Sequence, residues 1–233
     1  MRSTMIPVGF VYFLLVANFY NESAGFDKDH TPYYSLWKVT PIASLAGFSL
    51  FHGAGLSDKD RLLAGLGLIF GGIGDYVIGS SNEGIVAGAI AFGIGHVFYL
   101  MLFMNYQTKV HQPLVAAMIF WGAVISKVCF LPLLEEHPIA MLIMASYAVL
   151  LTSCFVIAAS QYLNGTATQN EKGVWIRALG FLSTPYCDFL VLGSYYLAQY
   201  LILYGNIVAK VTPTHKKVAN LKPYQPRSLV SAN

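Results

Sequence analysis

An aspartate and a histidine on neighbouring apolar segments are the residues of this sequence whose types and spacing best suit chemistry. Asp75 ends the glycine-rich stretch 71–75 inside the apolar run 62–79, and His96 lies in the following apolar run. A carboxylate at membrane depth costs roughly 2.5–3.5 kcal/mol on insertion scales, so it normally faces a polar cavity where it pairs, relays protons or reacts. The pattern therefore predicts acid–base chemistry by a carboxylate and an imidazole.

Small and aromatic residues continue along the helix face that carries His96. Gly88, Phe92, His96 and Tyr99 recur at spacings of four and three, which place them on one face of a helix. Asp75, His96 and Tyr99 are therefore the candidate catalytic residues. The alternatives are structural, with Asp75 as a hydrogen-bonded packing residue or a helix cap and His96 as a packing residue inside the bundle.

Four more residues are candidates for binding a substrate. Lys38, near the start of an apolar run, either extends to the membrane interface or turns inward to pair with Asp75 or a lipid phosphate. Tyr195 and Gln199 lie one helical turn apart on one face, and Tyr196 is adjacent to them. Tyrosines are common at membrane interfaces, but a glutamine in the middle of a span is not explained in this way.

The sequence carries no motif for another reaction class or for a bound group. Gly-x-Ser-x-Gly, P-loop and Rossmann signatures are missing, which argues against serine hydrolysis and nucleotide-driven chemistry. No HExxH motif or closely spaced pair of histidines occurs, so we expect no metal and no other cofactor. Cys129, Cys154 and Cys187 are scattered and odd in number, as is typical of small apolar packing residues.

The composition indicates that the solvent of this chain is largely lipid. Of its 233 residues, 56% are hydrophobic and 11% are charged, whereas soluble domains carry about 25% charged residues. The mean hydropathy is +0.57. We expect an all-α, polytopic transmembrane helix bundle that forms one domain over residues 1–210, with the bilayer as its surroundings. Residues 211–233 are expected to form a basic, disordered, cytosolic tail, and no nucleic-acid partner is predicted.

Seven apolar runs approach the length of about 20 residues that a membrane-spanning helix needs. They cover residues 5–20, 36–54, 62–79, 84–104, 113–132, 139–160 and 188–208. With a cytosolic N-terminus, the basic residues of the loops alternate as the positive-inside rule requires, and the basic tail then demands an even number of spans. The shortfall lies at 173–187, where about ten apolar residues around Arg177 are too few. Either this piece is a half-helix or re-entrant segment, or a helix that is present in relatives is missing here; we favour the missing helix.

The order of these motifs resembles the YhhN family, which includes the animal lysoplasmalogenases. The resemblance is carried by Lys-Val-Thr-Pro-Ile at 38–42, Gly-Leu-Ile-Phe-Gly-Gly-Ile-Gly-Asp at 67–75, Gly88-x3-Phe92-x3-His96-x2-Tyr99, and Tyr-Tyr-Leu-Ala-Gln-Tyr-Leu-Ile at 195–202. It implies an eight-helix membrane bundle that binds a lysophospholipid and, in animals, commonly lies in the endoplasmic reticulum.

The reaction implied by the resemblance is hydrolysis of the vinyl ether bond of a lysoplasmalogen, giving a fatty aldehyde and glycerophosphoethanolamine or glycerophosphocholine. A carboxylic acid protonates the β-carbon, and water captures the oxocarbenium ion that forms. A second carboxylate stabilises this cation or activates the water, much as paired acids do in glycoside hydrolysis. Asp75 would take one of these roles, while His96 and Tyr99 would orient it or the water.

One element of the family pattern is missing from this chain. Relatives carry a second aspartate, in a Ser-Asp pair on the seventh helix, whereas here the segment 177–182 passes directly to Ser183-Thr184-Pro185. Asp188 lies in a loop-like stretch before the last helix and is not assigned this role. Two hypotheses therefore stay open. One is a vinyl ether hydrolase, and the other is a catalytically silent lysolipid-binding protein or small-solute transporter that uses the same cavity.

Overall fold

The computed structural model describes residues 2–81, 84–104, 109–165, 169–182 and 188–210, without the side chains of 2–4, 54, 182, 188–195 and 210. Its described part contains eight α-helices: α1 (Arg2–Glu22), α2 (Tyr34–Phe51), α3 (Asp58–Ser80), α4 (Gly84–Met104), α5 (Gln112–Ile125), α6 (Pro138–Leu163), α7 (Glu171–Leu182) and α8 (Asp188–Lys210). This confirms the predicted all-α bundle. The expected tail at 211–233 lies outside the described residues.

Length and composition make five of the described helices able to cross a membrane. They are α1, α3, α4, α6 and the segment Gln112–Leu133 that begins with α5. The helix α8 contributes a shorter apolar stretch, Tyr196–Ala209, and α2 carries Lys38 near its start. An integral membrane protein is therefore supported, and five of the seven predicted spans meet this criterion on their own.

The helix that carries Asp75 begins at a capped end. The Ser57 hydroxyl accepts a hydrogen bond from the Asp60 amide at 3.3 Å and also donates to the Asp60 carboxylate. Such a cap satisfies amide groups that have no partner inside the helix. Asp58 and Asp60 also place negative charge at the positive end of the helix dipole. The start of α3 is thus determined by local sequence.

Glycines bring α3 and α4 into backbone contact. A Cβ atom at Gly95 would lie 2.9 Å from the carbonyl oxygen of Gly67, and one at Gly88 would lie 2.4 Å from the side chain of Ile78. Small residues allow such close approach between membrane helices. Because Asp75 is on α3 and His96 is on α4, this seam fixes the two candidate catalytic helices side by side.

The predicted span 113–132 is not a uniform α-helix. The α-helix ends at Ile125 and continues as a π-helical turn, Ser126–Phe130, and a 3-10 turn, Leu131–Leu133. Pro132 lacks the N–H that a regular helix would use at this position, so the α-helical ladder cannot pass through it. No residue of α5 is buried by protein, which leaves this helix at the lipid-facing edge of the bundle.

The segment with too few apolar residues forms the short helix α7. Its 12 residues span about 18 Å at a rise of 1.5 Å, against a hydrocarbon thickness of roughly 30 Å. The helix packs against α6 and α8, and a Cβ atom at Gly205 of α8 would lie 2.6 Å from the amide nitrogen of Arg177. The structure has a helix of 12 residues here, and the link 183–187, which the missing-helix alternative concerns, lies outside the described residues.

Candidate functional site

The centre of the candidate site is a buried ion pair between α2 and α3. The Lys38 Nζ atom lies 3.4 Å from Asp75 Oδ1, and the two side chains are 9% and 3% exposed. Of the two possibilities for Lys38, the structure therefore has the inward one. Because an unpaired charge in such a place would be strongly destabilising, each residue supplies the partner that the other requires.

Two tyrosines, one from α1 and one from α8, are linked by hydrogen bonds to the backbone of Lys38. The Tyr196 hydroxyl donates to the carbonyl oxygen of Lys38 at 2.8 Å, and the Tyr12 hydroxyl donates to the carbonyl oxygen of Tyr196 at 2.7 Å. The side chains of Tyr12 and Tyr196 are buried, as is that of Asp75. Helices α1 and α8 are thus linked by buried hydroxyl groups to the backbone of the residue that pairs with Asp75.

The predicted residues of α4 form the adjoining wall. The Tyr99 hydroxyl donates to Gln199 Oε1 at 3.2 Å, which joins α4 to α8. His96 Nδ1 lies 2.7 Å from the Phe92 carbonyl oxygen, so a neutral ring carries its proton on Nδ1 and leaves Nε2 as an acceptor. The His96 ring packs edge-on against the rings of Tyr99 and Tyr147, at centroid distances of 6.1 and 5.5 Å.

The structure places the predicted site residues in two groups of contacting side chains on neighbouring helices. In one group, Lys38 forms an ion pair with Asp75, and the Tyr196 hydroxyl donates to the Lys38 carbonyl oxygen. In the other, Tyr99 is hydrogen-bonded to Gln199. Tyr195 belongs to α8, but its side chain lies outside the described part of the chain. Tyr12 and Tyr147 were not predicted. In the sequence, a tyrosine of an apolar run looks the same whether it is buried inside the bundle or lies at the membrane interface.

A second buried polar cluster surrounds Arg177, a residue that the sequence indicated only as an interruption of an apolar stretch. Its guanidinium donates to Asn206 Oδ1 at 3.3 Å, to Gln169 Oε1 at 3.1 Å and to Gln161 Oε1. It also lies 4.8 Å from the ring centroid of Phe103. The signal that could have found this cluster is a charged residue in an apolar helix that faces amides on its neighbours.

An aromatic layer borders the Arg177 cluster. The Tyr99 and Phe103 rings are nearly parallel, and the Phe181 ring meets both edge-on at centroid distances of 6.1 and 5.5 Å. The Arg177 cluster therefore ties α7 to α6 and α8 on one side of this layer. Tyr99 belongs to this layer and also donates to Gln199, so the layer adjoins the Tyr99–Gln199 pair.

This fold and site define a polytopic helical membrane protein with an ionisable group in its interior. Residues 33–206 match the YhhN family, and this range contains Lys38, Asp75, His96, Tyr99 and Gln199. Because the match covers well over half of the chain, the protein belongs to the YhhN family. No curated protein and no solved structure matches the chain.

Proposed function

We propose that this protein hydrolyses the vinyl ether bond of lysoplasmalogens, releasing a fatty aldehyde and a glycerophospho-ethanolamine or -choline. The observation that carries the proposal is the Lys38–Asp75 ion pair, an ammonium and a carboxylate that can share a proton and that are buried in a membrane bundle. Membership of the YhhN family supports the same reaction class. A lipid-soluble substrate also suits a site that lies between membrane helices.

The ion pair can supply the proton that the first step needs. Transfer of a proton from the Lys38 ammonium to Asp75 gives two neutral groups, a form that a low-dielectric interior tolerates. The Asp75 carboxyl then delivers this proton to the β-carbon of the vinyl ether, leaving a carboxylate beside the new oxocarbenium ion. The opposite charges of carboxylate and cation stabilise this step.

The same carboxylate can complete the reaction without a second acid. Water adds to the α-carbon of the cation, and one proton of this water passes to Asp75. This proton replaces the one that the ion pair gave to the vinyl ether. The hemiacetal then breaks its bond to the glycerol oxygen; the remaining hydroxyl proton moves to that oxygen as the aldehyde forms. One carboxyl used in both directions thus replaces the two acids of the family pattern.

The neighbouring polar groups would position the substrate and the water. The hydroxyl of Tyr99 and the carboxamide of Gln199 lie together and suit the glycerol hydroxyl and ether oxygens. The His96 Nε2 atom, which the Phe92 hydrogen bond leaves as an acceptor, suits a water molecule. Lys38 would hold the proton between turnovers, and Tyr196 would keep Lys38 in place through its backbone carbonyl.

The proposal is tested by aldehyde release from the purified full chain in detergent or bilayers. A 1-alkenyl lysophosphatidylethanolamine should yield aldehyde, whereas the matched 1-alkyl ether and 1-acyl ester should not react, because only the vinyl ether has a carbon that accepts a proton. In heavy water the aldehyde should carry deuterium on the carbon next to its carbonyl. Absence of aldehyde would refute the hydrolase, and lysolipid binding without turnover would favour the silent binder.

The location proposed for this activity is the endoplasmic reticulum membrane, with the basic tail in the cytosol. The family resemblance supports the organelle, and the positive charge of the tail supports its orientation. Protease added to intact microsomes should remove a tag placed after Asn233. A tag protected until detergent is added would show that the tail faces the lumen.

A further inference from the structure

A polar pocket of about 340 Å³ opens where the α1–α2 connection meets the start of α2 and the end of α3. Its walls include Lys28, Asp29, Tyr34, Ser35, Tyr76 and Gly79. The volume falls within the range of about 300–1,000 Å³ that is usual for small-molecule sites. None of these residues takes part in the reaction proposed above.

The walls of this pocket present both signs of charge. The Lys28 ammonium lies 3.4 Å from the carbonyl oxygen of Ile78, which holds it against α3. Asp29 follows it in the chain with an exposed carboxylate, and the Tyr76 ring is 46% exposed. A lysine binds phosphate as a point charge, while a carboxylate and an aromatic ring bind ammonium groups. The combination is complementary to a small zwitterion.

The pocket lies one helical turn from the Lys38–Asp75 pair on the same seam between α2 and α3. Tyr34 precedes Lys38 by four residues on α2, and Gly79 follows Asp75 by four residues on α3. Four residues correspond to about 6 Å along a helix. A three-carbon glycerol unit can cover this separation, with its phosphate in the pocket and its ether end at the ion pair.

We infer that this pocket binds the zwitterionic phosphodiester head group, phosphoethanolamine or phosphocholine, of the lysolipid substrate. Lys28 contacts the phosphate, and Asp29 with Tyr76 contacts the ammonium. The inference rests on the proposed function for the identity of the lipid. The lipid, rather than its water-soluble glycerophosphodiester, is the ligand because the reaction proposed at the Lys38–Asp75 pair, one helical turn away, requires the lipid's alkenyl chain.

Equilibrium binding of uncleavable ligands to the purified full chain in detergent tests this inference. The ligands are 1-acyl lysophosphatidylethanolamine, 1-acyl lysophosphatidic acid, the matching monoacylglycerol and glycerophosphoethanolamine. Lys28→Gln should raise the Kd of both phosphate-bearing lipids about tenfold and leave that of the monoacylglycerol unchanged. Among the three lipids, Asp29→Asn should weaken only the lysophosphatidylethanolamine, since it is the one of the three that carries an ammonium. Lys59→Gln, an exposed lysine at the opposite end of α3, is the matched control and should change none of them.

Each other result overturns the assignment. A Lys28→Gln variant that binds all the lipids normally, or that loses affinity for the monoacylglycerol to the same extent, would show that Lys28 does not contact the phosphate. Glycerophosphoethanolamine that binds as tightly as the lysolipid would make a soluble phosphodiester the ligand. These results are independent of turnover: Lys28-dependent binding without aldehyde release would refute only the hydrolase, and aldehyde release with no dependence of binding on Lys28 would refute only the head-group site.

Discussion

Asp75→Asn is expected to lower aldehyde release from a lysoplasmalogen by more than about 100-fold, because general acid–base catalysis by a placed side chain typically contributes 10²–10⁴-fold. The amide keeps the shape of the carboxyl but can neither donate the proton to the vinyl ether nor recover one from water. The measurement is the initial rate of aldehyde formation at saturating substrate, with protein amounts matched by folded fraction.

A loss of stability must be separated from this loss of chemistry. Removing one partner of a buried ion pair costs about 3–5 kcal/mol, and Asp75→Asn leaves the Lys38 ammonium without its carboxylate. Combining Asp75→Asn with Lys38→Met removes both charges, so the double variant should regain most of the thermal stability in detergent. It should nevertheless stay inactive. Activity in the double variant above a tenth of the wild-type rate would show that Asp75 is not the acid.

Arg177→Met is expected to destabilise the protein by about 3 kcal/mol or more, since hydrogen bonds to charged groups contribute about 1.5–3 kcal/mol each. The substitution deprives the carboxamide oxygens of Gln161, Gln169 and Asn206 of this donor. It also removes the cation from the face of Phe103. Helix α7 should then separate from α6 and α8, which thermal unfolding in detergent and proteolysis between 164 and 172 would detect.

Two further substitutions in α7 serve as controls for Arg177→Met. Lys172→Met removes an exposed charge from the same helix and should change stability by no more than about 0.5 kcal/mol. Arg177→Lys keeps the charge but loses the planar fork that reaches several acceptors, so it should fall between the wild type and Arg177→Met. Equal stability of Arg177→Met and Lys172→Met would contradict the anchoring role of Arg177.

The sequence predicted the helices well because their signals are local. The run 84–104 coincides with α4, and 139–160 lies inside α6, since an apolar stretch between polar breakers has few other ways to satisfy its backbone in lipid. The break in the span 113–132 was not predicted, although Pro132 marked the place. The course of 173–187 was left between two alternatives because its roughly ten apolar residues cannot span a bilayer, so their arrangement depends on the helices they contact.

Most residues of the candidate site were predicted from the sequence, including the neutral Tyr99, Tyr196 and Gln199, but Tyr12 and Tyr147 were not. Asp75, His96 and Lys38 are costly inside a membrane, so their presence alone indicated a polar interior. The hydroxyl of Tyr12 meets the backbone of Tyr196 across 184 positions of sequence, and no local pattern encodes such a contact. Arg177 was visible as a charge, but its amide partners come from α6, α8 and a loop.

The sequence by itself determined the membrane environment, the approximate extent of most helices and the identity of the ionisable residues, because hydropathy, caps and desolvation costs act on each segment separately. Tertiary structure alone decided that Lys38 turns inward to Asp75 rather than outward to the interface. It did so by bringing α3 against α2 and by placing Tyr196 of α8 over the Lys38 carbonyl. Both outcomes for Lys38 satisfy its charge, so only the packing of distant helices could choose between them.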